Sequence, residues 1–281
     1  VVNGCLVLKK EEYETSKYQK RTDFDAVLAL KLKIIPHNMF YNSKNLRTVV
    51  MPEAEEIADG WHDGAFADTS VSECFFPKLK RLGAFAFCKC GILALDEDNF
   101  PTLQVVGKSG FQWCPIGKMS LPHLERVDES GLSDCSLRLV DLPSLTSVGD
   151  YGFSWCQSLK RVSADKLLEI GEGCFTDCPV LASIKCNVQP KKFVCKGQYC
   201  ECFGCPVCYQ DIEICLERGR SGWKDADVLV DEEAIDDVLN KFSVGITARQ
   251  AIEANEGEIL NGCLVLKEEH YQESAFIVGC T

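Results

Sequence analysis

The strongest constraint on this chain is internal repetition. The stretch Leu137–Gly173 reads L-x-x-V-x-L-P-x-L-x-x-V-G-x-x-x-F-x-x-C and then begins again. Anchored on the aromatic of the F-x-x-C step, the pattern recurs at Phe40, Phe66, Phe85, Phe111, Leu132, Phe153 and Phe175, in steps of 26, 19, 26, 21, 21 and 22 residues. Cysteine stands three residues after the anchor at Cys88, Cys114, Cys135, Cys156 and Cys178, with Ser43 and Thr69 in the first two units. A second column, P-x-L-x-x-V/L, runs through Pro77, Pro101, Pro122 and Pro143, and Asp165 keeps its spacing without the proline. Periods of this length mark architectures that stack one small unit on the next.

Each unit reads as two short extended pieces and a tight turn. In Leu137-x-x-Val140-x-Leu142 the apolar positions point one way and their neighbours the other, the period-two rule of a strand. Proline ends that strand where its missing N–H costs no ladder bond, and Gly149 allows the next corner. One coil cannot bury its own apolar face, so a continuous core forms only by stacking, with the aromatic anchor between coils. Truncating an anchor such as Phe153→Ala is expected to cost about 3–5 kcal/mol. The cysteine column is expected to act as small apolar filler, although adjacent coils lie within disulfide reach.

These motifs resemble the BspA-type leucine-rich repeats of bacterial and protist surface proteins. The likeness rests on L-x-x-V-x-L-P and on Val148-Gly149-Asp150-Tyr151-Gly152-Phe153-Ser154-Trp155-Cys156, and it covers residues 28–186. The resemblance implies a leucine-rich-repeat solenoid of about seven repeats, mostly β, with short parallel strands and tight turns. It also implies adhesion or host-surface binding, and a cell-surface or secreted location. The acidic insert Asp96-Glu97-Asp98 in the long third step departs from the pattern.

The flanks differ in character. Residues 1–27 form an expected N-terminal cap, a structure that open-ended stacks require. Residues 187–222 form a cysteine-rich segment, and from Cys186 to Cys215 there are seven cysteines in 30 residues. Four of Cys195, Cys200, Cys202, Cys205 and Cys208 would satisfy tetrahedral zinc, yet the cluster is more compact than paired C-x2-C knuckles. A disulfide knot, a structural zinc (the one cofactor these residues would admit) and reduced thiols all stay open. Residues 223–257 read as a small acidic helical region: Asp231 caps a stripe of Ile235, Val238, Leu239 and Phe242, and Thr247 with Gln250 forms a capping box. Residues 258–281 echo the beginning. Asn261–Tyr271 matches Asn3–Tyr13 at nine of eleven positions, as if this were one unit of a tandem array with the start of the next.

Composition narrows function. A net charge of −12 disfavours a phosphate-backbone partner, so no nucleic acid is expected, and no apolar run approaches the length of a membrane span. The motifs of nucleophilic, metal-hydrolytic and phosphate-loop chemistry are missing: Gly107-Lys108-Ser109 lacks the leading glycine, and His37, His62, His123 and His270 are scattered. What remains is surface. On the strand face the outward positions include Thr48, Glu73, Phe75, Lys118, Asp141, Arg161 and Lys185, a mixed-charge set suited to a protein partner. The expectation is a non-enzymatic protein-binding module, with an intracellular scaffold carrying a structural zinc as the alternative.

Overall fold

The computed structural model describes residues 1, 3–10, 13, 17–195, 205–207 and 212–221, and the backbone of 258–260 and 263–265. Two short extended pieces per coil wind into a parallel solenoid of about eight turns. In chain order the strands are β1 (Cys5–Leu8), β2 (Ala26–Ala29), β3 (Ile34–Ile35), β4 (Thr48–Val50), β5 (Glu56–Ile57), β6 (Glu73–Phe75), β7 (Arg81–Leu82) and β8 (Ala94–Leu95). They continue as β9 (Val105–Val106), β10 (Lys118–Ser120), β11 (Arg126–Val127), β12 (Leu139–Asp141), β13 (Ser147–Val148), β14 (Arg161–Ser163), β15 (Glu169–Ile170) and β16 (Ser183–Lys185).

The two-residue strands form one wall of seven, ordered β15-β13-β11-β9-β7-β5-β3. The other wall is broken into a sheet β1-β2-β4-β6 and a sheet β16-β14-β12-β10-β8. The break has a local cause. Met119 pairs with Leu95, but the coil then carries Asp96-Glu97-Asp98 before Asn99, whose carbonyl accepts the bond from Phe76 N–H. Asn99 Oδ1 accepts from Asp96 N–H at 3.0 Å and its amide donates to Ala94 O at 3.0 Å, closing the insert as a self-bonded loop. The three extra residues thus bulge outward and interrupt the ladder.

The core is a double file of phenylalanines. Phe40, Phe66, Phe87 and Phe111 stack ring on ring at centroid distances of 5.3, 4.8 and 5.6 Å, and Phe153, Phe175 and Phe193 continue the file at 5.5 and 6.0 Å. Phe76 and Phe100 stack at 5.6 Å beside them and meet Phe87 edge-on. The edges complement the ring quadrupole, and the faces exclude water.

Phe87 occupies the position in this file that the sequence spacing assigns to Phe85. Phe85 lies two residues earlier, half-buried, at φ +58° beside His62. The segment Phe85-Ala86-Phe87-Cys88-Lys89-Cys90 contains two overlapping F-x-x-C frames, and burial selects the second. The corrected steps, Phe66 to Phe87 to Phe111, are 21 and 24 residues, so the 24 is the common 21 plus the three-residue insert. The file also begins earlier than expected. Tyr18 lies 6.0 Å from Phe40 and its carbonyl accepts from Ser43 Oγ, while β1 pairs in register with β2. Residues 1–27 therefore contribute a coil of their own.

Glycine keeps the coils close. A Cβ on Gly149 would stand 2.7 Å from Glu129 N, and one on Gly171 would stand 2.2 Å from Asp150 N. Both have ordinary backbone angles, so the requirement is close approach between coils rather than the conformational freedom expected of a corner. At the far end the helix α1 (Ile212–Ser221) lies within the cysteine-rich segment. Its buried positions Ile212, Cys215, Leu216 and Gly219 follow helical spacing, and Gly219 lets it rest on the Ile184 carbonyl. It covers the edge of β16, the role an end cap must fill. Of the terminal echo, β17 (Glu258–Leu260) and β18 (Cys263–Val265) form an antiparallel pair, whereas the matching residues of β1 pair in parallel. The expected helices within 223–257 lie outside the described residues.

Candidate interaction surface

The seven residues read from sequence as one outward face fall on two different sheets. Thr48, Glu73 and Phe75 belong to the four-stranded sheet; Lys118, Asp141, Arg161 and Lys185 belong to the five-stranded one. Phe75 is not exposed. It is 5% accessible and packs in a second apolar cluster with Cys5, Ala26, Leu28 and Val50. Thr48 is buried as well and donates from Oγ1 to Glu73 Oε2 at 3.1 Å. The signal for this was present: Cys5-Leu6-Val7-Leu8 and Ala26-Val27-Leu28-Ala29 are unbroken apolar runs, the mark of strands buried on both faces. Lys118-Met119-Ser120 and Leu139-Val140-Asp141 alternate instead.

On the five-stranded sheet the alternation is obeyed. Two rows cross β10, β12, β14 and β16: Lys118, Leu139, Arg161 and Ser183 form one, and Ser120, Asp141, Ser163 and Lys185 the other, with Lys118, Ser120, Asp141 and Lys185 exposed and Leu139, Arg161 and Ser163 half-buried. Lys185 Nζ reaches Asp165 at 2.8 Å. Arg161 differs from its neighbours, because its Nε and Nη2 are enclosed and have no hydrogen-bond acceptor. A guanidinium has donors set for a planar two-oxygen acceptor, and leaving them enclosed and unused is costly. This sheet face is mixed in charge, with Lys118, Asp141 and Lys185 exposed on it.

The cysteines form a ladder rather than plain filler. Each thiol donates to the carbonyl of the anchor one coil back: Cys90 to Phe66 at 2.9 Å, Cys114 to Phe87 at 2.9 Å, Cys135 to Phe111 at 3.3 Å, Cys156 to Leu132 at 3.3 Å and Cys178 to Phe153 at 3.2 Å. Cys205 continues the series onto Phe175 at 3.5 Å. Cys90 replaces Cys88 in the column, following the shift of the anchor. Burial pushes the Cys88 thiol up to about 11 and those of Cys90 and Cys156 up to about 12. Such thiols stay protonated near neutrality and are poor nucleophiles or ligands.

Among the described residues no disulfide joins two cysteines, and no group of three or more His, Cys, Asp or Glu could hold a metal. Cys205 is buried and stands as a further rung of the ladder. Cys195 is half-buried against the core; Cys200, Cys202 and Cys208 lie outside the described residues.

The turn edge carries a feature that spacing did not reveal. Two residues after each anchor the backbone is left-handed, at Lys20, Asn42, Asp68, Lys89, Trp113, Asp134, Trp155 and Asp177. Asparagine and aspartate tolerate this region, but for a bulky side chain it costs about 1 kcal/mol or more. Trp113 (φ +61°) and Trp155 (φ +62°) nonetheless stand there, 48% and 50% exposed.

The BspA type leucine rich repeat profile matches this chain in six copies over residues 26–94 and 104–200. No curated protein matches it. Among solved structures it is similar to a leucine rich cell surface protein of Faecalibacterium prausnitzii, with 16% identity, TM-score 0.38, and 57% of this chain and 60% of that one covered. It is also similar to a leucine-rich repeat protein of Bacteroides ovatus, with 16% identity, TM-score 0.42, and coverage of 65% and 55%. A third, from Eubacterium ventriosum, has 14% identity, TM-score 0.35, and coverage of 74% and 73%. The chain thus spans less than two thirds of the first two proteins. No helix among the described residues is long and apolar enough to cross a membrane. With the matched copies covering more than half of its length and the coils stacked as their motif requires, the chain belongs to the BspA-type leucine-rich repeat family.

Proposed function

We propose that this chain is a non-enzymatic protein-binding module that serves adhesion or surface recognition as one unit of a larger array. The partner docks on the outward face of the five-stranded sheet. The observation that carries this reading is the cross-strand row Lys118, Leu139, Arg161, which sets two cationic side chains on either side of a half-buried leucine on parallel strands. A sheet with mixed charge around a half-buried leucine matches the anatomy of a protein-recognition patch. The thiols of Cys90 and Cys156 are enclosed and held protonated by burial, which leaves them unsuited to nucleophilic catalysis. The alternative of a zinc scaffold is weakened because Cys205, one of its five candidate ligands, already bonds to Phe175.

The test is surface plasmon resonance of the immobilised protein against a panel of extracellular-matrix and cell-surface proteins. A binder found in this way should lose roughly tenfold or more in affinity to an Arg161→Glu, Lys118→Glu double variant. Lys118→Glu alone should leave the melting temperature unchanged, since Lys118 is exposed, whereas Arg161 is half-buried and the double variant is checked for native folding by circular dichroism. Full binding by that variant would refute this docking face.

A further inference from the structure

We infer that the turn edge around Trp113 and Trp155 is a second binding site, which takes a proline-rich, basic peptide in the polyproline II conformation. The two tryptophans hold equivalent places in their coils, with Asp134 in the coil between. Trp113 N–H donates to Ser133 O at 3.2 Å, Asp134 N–H to Ser154 O at 2.9 Å and Trp155 N–H to Thr176 O at 2.9 Å, so the three residues form one in-register column. Coils in such a ladder repeat at about 4.8 Å, which sets the tryptophans about 10 Å apart. A polyproline II helix brings every third residue back to the same edge after about 9 Å. Prolines at positions i and i+3 therefore match the two rings, and aromatic-lined clefts are how such ligands are commonly held.

The charge favours a basic ligand. Asp134 belongs to the coil between the two tryptophans; it is half-buried, its carboxylate accepts from Ser133 Oγ at 2.9 Å, and it supplies a negative charge for a cation carried between the two prolines. Lys89 Nζ stands 4.7 Å over the Trp113 ring, and it is this intramolecular cation that a bound peptide displaces from the ring face. The net charge of −12 draws basic chains at long range. The backbone supplies the reason to look for a ligand here. Of the equivalent positions, Asn42, Asp68, Asp134 and Asp177 hold residues that suit a left-handed corner and Lys20, Lys89, Trp113 and Trp155 do not; the two tryptophans are large aromatics that remain half-exposed. A large aromatic placed half-exposed at a left-handed corner, twice and in register, marks a place where a ligand can be held.

The experiment is calorimetric titration with a peptide of repeated Pro-Pro-Arg, alongside repeated Gly-Gly-Arg and cellohexaose. Saturable binding of the first peptide alone is expected. Trp113→Asn and Trp155→Asn should each weaken it roughly tenfold and together abolish it. Asp134→Asn should weaken it and flatten its salt dependence, and Trp61→Asn, at the 83% exposed tryptophan of another loop, should leave it unchanged. The melting temperatures of the Trp113 and Trp155 variants should equal or exceed the parent's, because asparagine suits the corner. The inference is overturned if the glycine peptide binds equally, if cellohexaose binds instead, if neither peptide saturates, if the tryptophan variants bind normally, or if they melt markedly lower. Arg161→Glu should leave this binding intact, which keeps the outcome separate from that of the strand-face reading.

Discussion

Phe87→Ala and Phe85→Ala form a pair of perturbations that decides the register of the stack. Phe87 is fully buried, with Phe66 at 4.8 Å on one face, Phe111 at 5.6 Å on the other, and Phe76 and Phe100 meeting it edge-on. Removing a buried ring costs about 3–5 kcal/mol, and four aromatic neighbours left facing a cavity put this site near 5. Phe85 is half-buried and keeps one tilted contact, with His62 at 5.1 Å, so its truncation should cost no more than about 1 kcal/mol. For a cooperative unit of this size each kcal/mol shifts the midpoint by about 2–4 °C, which gives about 10–20 °C for Phe87→Ala and under about 4 °C for Phe85→Ala. Thermal unfolding followed by far-ultraviolet circular dichroism reads both. Equal losses, or a larger one at Phe85, would show that the file of rings does not run through Phe87.

Three further outcomes follow from the geometry. In the unfolded chain the thiols of Cys90 and Cys156 ionise near their usual value of about 9, while the fold holds them protonated to about 12. Their contribution is then complete below pH ~9 and lost as pH rises toward ~12, so a Cys90→Ala, Cys156→Ala double variant should show a shallower fall of melting midpoint between pH 9 and 11. Gly149→Ala drives a methyl to 2.7 Å from Glu129 N and should cost about 2 kcal/mol or more by denaturant titration, whereas Gly117→Ala, with nothing within 4 Å, should be neutral or stabilising by up to about 1 kcal/mol. Arg81 bridges Glu56 at 2.8 Å and Asp59 at 2.6 Å at a partly exposed site. Its replacement by Met should cost at most about 1 kcal/mol, and molar salt should erase most of the difference.

The errors in reading the sequence were specific. Phe85 and Phe87 both satisfy F-x-x-C, and one-dimensional spacing cannot rank two frames that differ by two residues. Tyr18 carries no F-x-x-C mark, because Arg21 rather than cysteine stands three residues after it. Phe75 looked outward by alternation, but the runs in β1 and β2 show that the first sheet is apolar on both faces. Trp113 and Trp155 stand at an x position of F-x-x-C, and nothing in that spacing indicates a left-handed backbone.

Taken alone, the sequence determined the architecture: a strand period of two, a proline stop and an aromatic every 21 or so residues leave parallel stacking as the way to bury the apolar face. Periodicity is local, and local patterns specify which residues face inward. Only the tertiary structure decided which aromatic enters the file, which sheet face stays open and where the thiols point. Those outcomes depend on contacts between coils some 20 residues apart, where burial and hydrogen-bond satisfaction choose among frames that are equivalent along the chain.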